Sequence, residues 1–363
     1  MKTAFVCFFP VIPTNMGSAE VIRSFFLCWP GNRKLFQITH LKDKDDTFTR
    51  SFRIFTEKPI LKILILPFLL ISVLRYLKNS KKSIVVIEGP SWIGYSFISL
   101  IIIKTFSPNT KIIYHSHSIE YEVRKMTSSN IIVFITKILE QIVYKYSDIA
   151  TSVSNIEKKK LKKLYNFHII NLNNYISKKR IEFSKKKILD FDYIIYCGSY
   201  KYLPNKLAID FLVNTIMPKL IKYKPKLKLI LTGGGYNKTK KKFLKNLGIV
   251  KKNYLLNLIY NSKALVVPLD IGTGTRIKII EALSIGGTVL STPIGAEGIK
   301  FGNKKLSNLM VTKKSNFVRK LKELMKLNYK PKTSRAFQKE YLMENIVYKF
   351  LNLNYVKNTI KRN

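Results

Sequence analysis

Acidic residues are few in this chain beside its basic ones. Its 363 residues carry Lys+Arg 65 against Asp+Glu 21, a formal charge of +44 at pH 7. The shortage leaves a standing attraction to phosphate-rich partners: nucleic acid, an anionic membrane face or a nucleotide. Cysteine is also scarce. Cys7, Cys28 and Cys197 stand far apart without a Cys-x-x-Cys, which excludes a disulfide framework or thiolate zinc site and suits a reducing compartment. There are four histidines, and His115 and His117 at spacing two have no matching third ligand segment, so no metal is expected. Repeats of short period are missing, which excludes a solenoid or propeller. Residues 63–74 are uncharged, but Lys62, Arg75 and Pro67 leave the run of residues 60–77 short of the ~20 residues a membrane span needs. That run is expected to be interfacial or buried, with Leu69 and Leu70 as its inserting side chains. Residues 1–10 resemble a signal peptide only until Pro10 and Pro13, and there is no small-residue cleavage site, so a buried first strand is expected.

What is present is apolar material in the right rhythm. Hydrophobic residues make up 46% of the chain, enough for a sizeable core and two domains of ordinary size. Runs rich in Ile, Val and Phe alternate with segments of helical period, the pattern of parallel strands joined by crossover helices. Strands are expected at residues 4–9, 83–87, 111–114 and 149–153, and helices at 20–28, 95–106 and 131–146. Residues 166–192 are rich in Asn and Lys and read as a solvated connection. Beyond it the rhythm restarts, with strands at 193–197, 227–231, 264–268 and 288–291 and a helix at 206–221. The expected domains are 1–172, completed by helices within 334–363, and 173–333.

The most informative stretch is Asp270-Ile271-Gly272-Thr273-Gly274-Thr275-Arg276-Ile277-Lys278, followed by Glu281. A Gly/Thr loop between a buried strand and a helix aims backbone N–H groups and the positive helix end at an anion. Arg276 and Lys278 are unfavourable in a first turn unless an anion sits there. The carboxylate of Glu281 can accept hydrogen bonds from paired ribose hydroxyls.

This stretch resembles the C-terminal signature of family 4 glycosyltransferases of the GT-B fold, in the subgroup with Gly-x-Gly-Thr-Arg-x-Lys. Tyr196-Cys197-Gly198-Ser199-Tyr200 with Pro204-Asn205, then Thr232-Gly233-Gly234-Gly235, then Ser291-Thr292-Pro293-Ile294-Gly295-Ala296-Glu297-Gly298 are similar to its other second-domain motifs, in order. His115-Ser116-His117-Ser118-Ile119-Glu120 with Arg124 resembles its His-x-x-Glu segment. Four positions differ. Thr273 stands for the first of two glutamates, Ser199 and Pro204 for an Arg and a Lys, and Thr288 for a proline.

The resemblance implies an α/β protein of GT-B type, two Rossmann-like domains whose parallel sheets face a cleft. It implies retaining transfer of a sugar from a nucleotide-sugar in the second domain to an acceptor on the first. Glu281 would hold the ribose. Gly274, Thr275, Arg276 and Lys278 would face the diphosphate, with Thr273, Gly198, Lys201, Gly233 and Gly234 lining the donor site. His117 would meet the transferred sugar across the cleft, and Gly17 would lie in the loop after the first strand. No covalent nucleophile, metal or other cofactor is implied.

The surplus lysines, among them Lys158 to Lys160, Lys240 to Lys242 and Lys251-Lys252, read either as solvated faces or as attraction to anionic lipid. Aromatics interleaved with Arg are not evident, so no nucleic acid is expected. The function expected is glycosyl transfer to a lipid-linked or surface-polysaccharide acceptor, by a protein held peripherally on the cytoplasmic face of the cell membrane. The alternatives are a GT-B nucleotide-sugar epimerase, a non-catalytic GT-B-like protein or a basic nucleic-acid-associated protein.

Overall fold

The apolar run behind Met1 forms the first strand, β1 (Lys2–Cys7), and residues 3–7 of it are buried. Strands β2 (Asn32–Thr39) and β4 (Ser83–Glu88) flank it in parallel register, so both its faces meet helices and its sequence is continuously apolar. Helix α1 (Gly17–Cys28) returns over one face. There Phe5 meets Phe25, Phe26 and Trp29 edge to face with ring centroids 5.3–5.7 Å apart, and the Trp29 indole donates to Thr3 Oγ1 at 3.1 Å. The computed structural model describes residues 1–12, 17–41, 47–56, 58–173, 175–237, 241–272, 274–299, 306–326 and 335–361.

The remaining strands of this first unit are β3 (Thr49–Arg53), β5 (Lys111–His115), β6 (Ile149–Ser152) and β7 (Ile170–Asn171). Among the described residues they complete one parallel sheet of order β3-β2-β1-β4-β5-β6-β7. Its helices are α2 (Pro59–Leu77), α3 (Ile93–Phe106), α4 (Glu120–Thr127), α5 (Asn130–Tyr146) and α6 (Asn155–Tyr165). Ser154 caps α6 by accepting from the Glu157 N–H at 3.1 Å, a Ser-x-x-Glu start. The run of residues 60–77 is α2, and its buried face carries Leu66, Leu69, Leu70, Val73 and Leu77. Leu69 and Leu70, expected to insert into lipid, therefore belong to the core.

The second unit carries β8 (Tyr193–Cys197), β9 (Lys228–Thr232), β10 (Leu244–Asn246), β11 (Leu265–Val267), β12 (Val289–Ser291) and β13 (Leu309–Val311). Among the described residues they form a second parallel sheet, of order β10-β9-β8-β11-β12-β13. Its helices are α7 (Leu203–Phe211), α8 (Met217–Tyr223), α9 (Lys252–Asn261), α10 (Ile277–Ser284), α11 (Phe317–Lys326) and α12 (Arg335–Tyr341). The helix expected at 206–221 is split between α7 and α8 by a π-helical stretch, Leu212–Ile216. Pro218 has no N–H with which to continue an α-helical ladder. Helices α13 (Met343–Asn352) and α14 (Asn354–Lys361) return to the first unit.

The chain divides into Met1–Asn174 with Met343–Asn363, and Tyr175–Leu342. The segment read as a solvated connection is not one. Ile170 pairs in β7, Leu172, Tyr175 and Ile176 are buried, and Ile181, Phe183, Ile188, Leu189 and Phe191 pack on the second core. The return to the first unit starts later than residue 334. Phe337 and Tyr341, one helical turn apart, are buried in the second core, and the Gln338 amide donates to Ser284 O at 2.6 Å. Phe350 then packs on Phe25 and Trp29 of the first unit.

Removing the Phe5 ring deletes the hub of an aromatic cluster. Phe5→Ala should lower the unfolding free energy of the first unit by about 3–5 kcal/mol. Urea unfolding followed by tryptophan fluorescence reads this directly, because Trp29 and Trp92 are the chain's 2 tryptophans and both lie in that unit. An unchanged midpoint would contradict the packing described.

Candidate functional site

In the second sheet, crossovers from β8 run outward to β9 and β10, and from β11 outward to β12 and β13. The order reverses between β8 and β11. At such a point the loops at the carboxyl ends part and leave a crevice. The loops there are the one opening with Gly198, after Cys197, and the one running from Leu269 to Arg276, after β11.

The floor of the crevice is glycine because nothing larger fits. Gly198 (φ +158°) and Gly233 (φ +115°) press together so closely that a Cβ on Gly233 would meet Gly198 O at 2.4 Å, and one on Gly198 would meet the Asn205 side chain at 2.7 Å. The Tyr196 hydroxyl donates to Asn205 Oδ1 at 2.7 Å, and Asn205 Nδ2 donates to Ser199 O at 3.0 Å.

Lys278 reaches back from the first turn of α10 into this arrangement. Its ammonium donates to Cys197 O and, at 3.4 Å, to Asn205 Oδ1, and it lies 4.4 Å from the centre of the Tyr196 ring. Burial, with Arg276 adding repulsion, pushes it down to about 8 against an ordinary 10.5. A lysine in the first helical turn opposes the helix dipole, and here it is also taken out of water. An anion would relieve both costs. Arg276, the N-cap of α10, donates from its guanidinium to Gly274 O.

Glu281, a turn further along α10, is buried, and Lys252 at the start of α9 lies 2.6 Å from its Oε2. Lys252 is thus not part of a merely solvated lysine face. The Cys197 thiol, raised chiefly by burial, feels Lys278, Lys252 and Glu281 together, which puts all three around the end of β8.

The expected donor residues are therefore brought together unevenly. Gly198, Gly233, Gly274, Arg276 and Lys278 gather at the reversal point, and Glu281 stands beside it. Thr275 is buried next to Arg276. Gly234 holds the β8 loop by accepting from the Tyr200 N–H at 2.9 Å. Lys201 is exposed, with its stem against Gly235. Thr273 lies outside the described residues. Gly17 is the first residue of α1 and not part of the loop after β1. Tyr196, Asn205 and Lys252 were not among the expected site residues. Of these, Asn205 carried a sequence signal in the Pro-Asn pair, whereas Lys252 and Glu281 meet only because α9 and α10 pack together.

The first sheet also reverses its order, between β1 and β4. Glu88 ends β4 and is paired in register with His115, which ends β5. Glu88 Oε2 accepts from His115 Nδ1 and from His117 Nε2, each at 2.8 Å. Glu88 and His115 are buried and His117 is partly so, and the Phe25 ring lies 4.7 Å from that of His115. Burial raises Glu88, with His117 opposing it. Burial lowers His115 to about 3 and also lowers His117, where Glu88 opposes it. Among the described residues these three form a group whose ligand atoms lie within 4.8 Å of one another and could hold a metal ion. Sequence spacing did not reveal Glu88 as the third member of this group, because it sits 27 residues before His115.

The other carboxylates nearby have partners. Glu120 pairs with Arg124 at 2.6 Å. Glu140, pushed up to about 7 chiefly by burial, accepts from the Glu120 N–H and the Tyr165 hydroxyl at 2.7 Å each. The sequence spells Asp-x-Asp twice, at Asp43-Lys44-Asp45, which lies outside the described residues, and at Asp190-Phe191-Asp192. Asp192 is held below the usual carboxylate range by Lys224 and Lys263, against the effect of burial.

Comparison with known proteins bears on both halves. Residues 192–326 match the family described as "Glycosyl transferases group 1". Among solved structures, sucrose-phosphate synthase from Thermosynechococcus elongatus superposes with a TM-score of 0.72 at 13% identity, over 96% of this chain and 97% of that one. HepE of Anabaena in complex with UDP gives 0.66 at 13% identity, over 96% and 98%. A trehalose-6-phosphate synthase studied for glycosyl transfer with retention gives 0.67 at 10%, over 96% and 98%. No curated protein matches the chain. The fold is GT-B.

The buried triad generates its own test. In ¹⁵N spectra of histidine-labelled protein, His115 should remain neutral at about pH 5, where an exposed imidazole is mostly protonated. A His115 titrating near pH 6.5 would contradict the closed arrangement with Glu88.

Proposed function

We propose that this chain is a retaining glycosyltransferase. It takes a sugar from a nucleotide-sugar held at the glycine crevice of the second unit and passes it to a lipid-linked or surface-polysaccharide acceptor on the first. The observation that carries the reading is Lys278, a cation withdrawn from water at the reversal point of a parallel sheet, between loops whose glycines let them close tightly on one another. The group 1 match covers the same residues. HepE was solved with UDP, with UDP and glucose, and with UDP-glucose, which supports a nucleoside diphosphate as the occupant.

In this reading the bond from the sugar's anomeric carbon to the diphosphate breaks as the acceptor oxygen attacks on the same face. The departing diphosphate carries away the electron pair and takes up the acceptor's proton. Lys278, Arg276 and the loop N–H groups stabilise its growing charge by fixed orientation. Glu281 holds the ribose hydroxyls, with Lys252 paired to its carboxylate. His117 meets the transferred sugar, with the Nε2 side of its ring committed to Glu88. The fixed cations take the place of a divalent metal and no other cofactor takes part. Work at the cytoplasmic membrane face suits both the acceptor class and the charge of +44.

Titration against a panel of nucleoside diphosphates and their sugars tests the reading. One should bind, and Glu281→Ala should weaken it by roughly tenfold or more, the worth of a hydrogen bond to a charged group. Unchanged affinity in folded Glu281→Ala protein would remove the ribose assignment, and no binding across the panel would remove the reading. Transfer should survive EDTA. Loss restored by magnesium would make the reaction metal-dependent.

A further inference from the structure

The first unit carries an apolar surface that its own fold leaves uncovered. Along α2, Ile60, Ile63, Leu64, Pro67, Phe68 and Ile71 recur at helical spacing on the exposed side. Leu64 is 63% exposed and Phe68 61%, whereas Leu69 and Leu70 on the opposite side are 0% and 1%. The second exposed stripe is on α5, where Ile131 is 74% exposed and Phe134 64%, with Ile132, Ile135 and Ile138 beside them. Helix α3 packs against both α2 and α5, and its Ile101 and Phe106 are exposed too. Single exposed hydrophobics are ordinary, but stripes on neighbouring helices mark a binding surface.

Charge decides the occupant. Helices α2 and α3 contain no acidic residue, and the one in α5, Glu140, is buried. The basic groups at this face are Lys58, Lys62, Arg75 and Lys78 on and beside α2, Lys104 on α3, and Lys137 and Lys145 on α5. Lys104 is already paired with Asp148 at 2.6 Å. On α4, which packs on α5, Glu120 is paired with Arg124 and Glu122 with Lys160. A second copy would bring another +44 against a basic rim, and like charges oppose that. An anionic bilayer satisfies both features, its headgroups meeting the lysines and its acyl boundary the apolar stripes. Helix α2 is long and apolar enough to cross a membrane, but its buried face packs on β1 and β2, which holds it along the sheet.

We infer that α2, α3 and α5 form a face that lies in the surface of an anionic membrane, with Leu64, Phe68, Ile131 and Phe134 inserted and the flanking lysines at headgroup level. This deepens the lipid-linked acceptor reading by assigning the membrane to one surface, and it rests on that reading only for its biological purpose. Vesicle binding needs no sugar donor, and diphosphate binding needs no vesicle, so either can fail alone.

The test is co-sedimentation of the full chain with vesicles of phosphatidylcholine alone or mixed with phosphatidylglycerol in equal parts. The protein should pellet with the anionic vesicles, and added salt should weaken that binding without abolishing it, because salt screens only the electrostatic part. The double variants Leu64→Ser with Phe68→Ser, and Ile131→Ser with Phe134→Ser, should each cut the salt-resistant partition roughly tenfold or more. Absence of binding at low salt, or a salt-resistant fraction indifferent to both pairs, overturns the proposal. So does a soluble dimer that the same variants dissociate, which would make the occupant a second copy.

Discussion

The reversal of strand order in each sheet is the constraint on which the rest depends. A parallel sheet wound outward in both directions from one pair of strands must part its loops at their carboxyl ends. Glycine, buried charge and hydrogen-bonding side chains collect at these places. In the second unit the pair is β8 and β11, and the crevice is lined by Gly198, Gly233, Asn205 and Lys278. In the first it is β1 and β4, and the end of β4 is Glu88 with both histidines upon it.

Each of the two places holds a buried ionisable group against neutral partners. Taking a charged group out of water is costly unless a partner compensates. Glu88 meets two imidazoles whose own burial favours their neutral form, and its Oε1 has no hydrogen-bond partner among the described residues. Among the described residues Lys278 meets neutral partners, a carbonyl, an amide and the face of Tyr196. Its shift toward about 8 expresses that incomplete compensation. Under the proposed function a phosphate is its complement, set among the loops that carry Gly198 and Gly233.

Much of this was legible in the sequence, because period and glycine placement are local signals. The strands at β1, β4, β5, β8 and β9 announced themselves as apolar runs, and the Gly272 to Lys278 loop announced its helix start. What stayed hidden depended on distance along the chain. The Glu88 contact with His117 spans 29 residues and joins two strands, and Lys252 with Glu281 joins two helices. Strand β7 was lost because two residues in Asn-rich sequence carry no period. The place where the chain returns to the first unit was misjudged because Phe337 and Tyr341 look the same whichever core receives them. The run of residues 60–77 is so uniformly apolar that its two faces separated only when Leu69 and Leu70 turned inward.

The claim that Lys278 awaits an anion is tested most directly by counting protons. Burial pushes Lys278 down to about 8, so a diphosphate binding beside it should raise that value and draw in a proton. Calorimetric titration with UDP at pH 8, repeated in buffers of different ionisation enthalpy, measures the uptake. About half a proton should be taken up per UDP bound, and Lys278→Met should abolish the uptake and weaken binding. UDP binding whose heat is the same in every buffer, or uptake that survives Lys278→Met, would contradict the account.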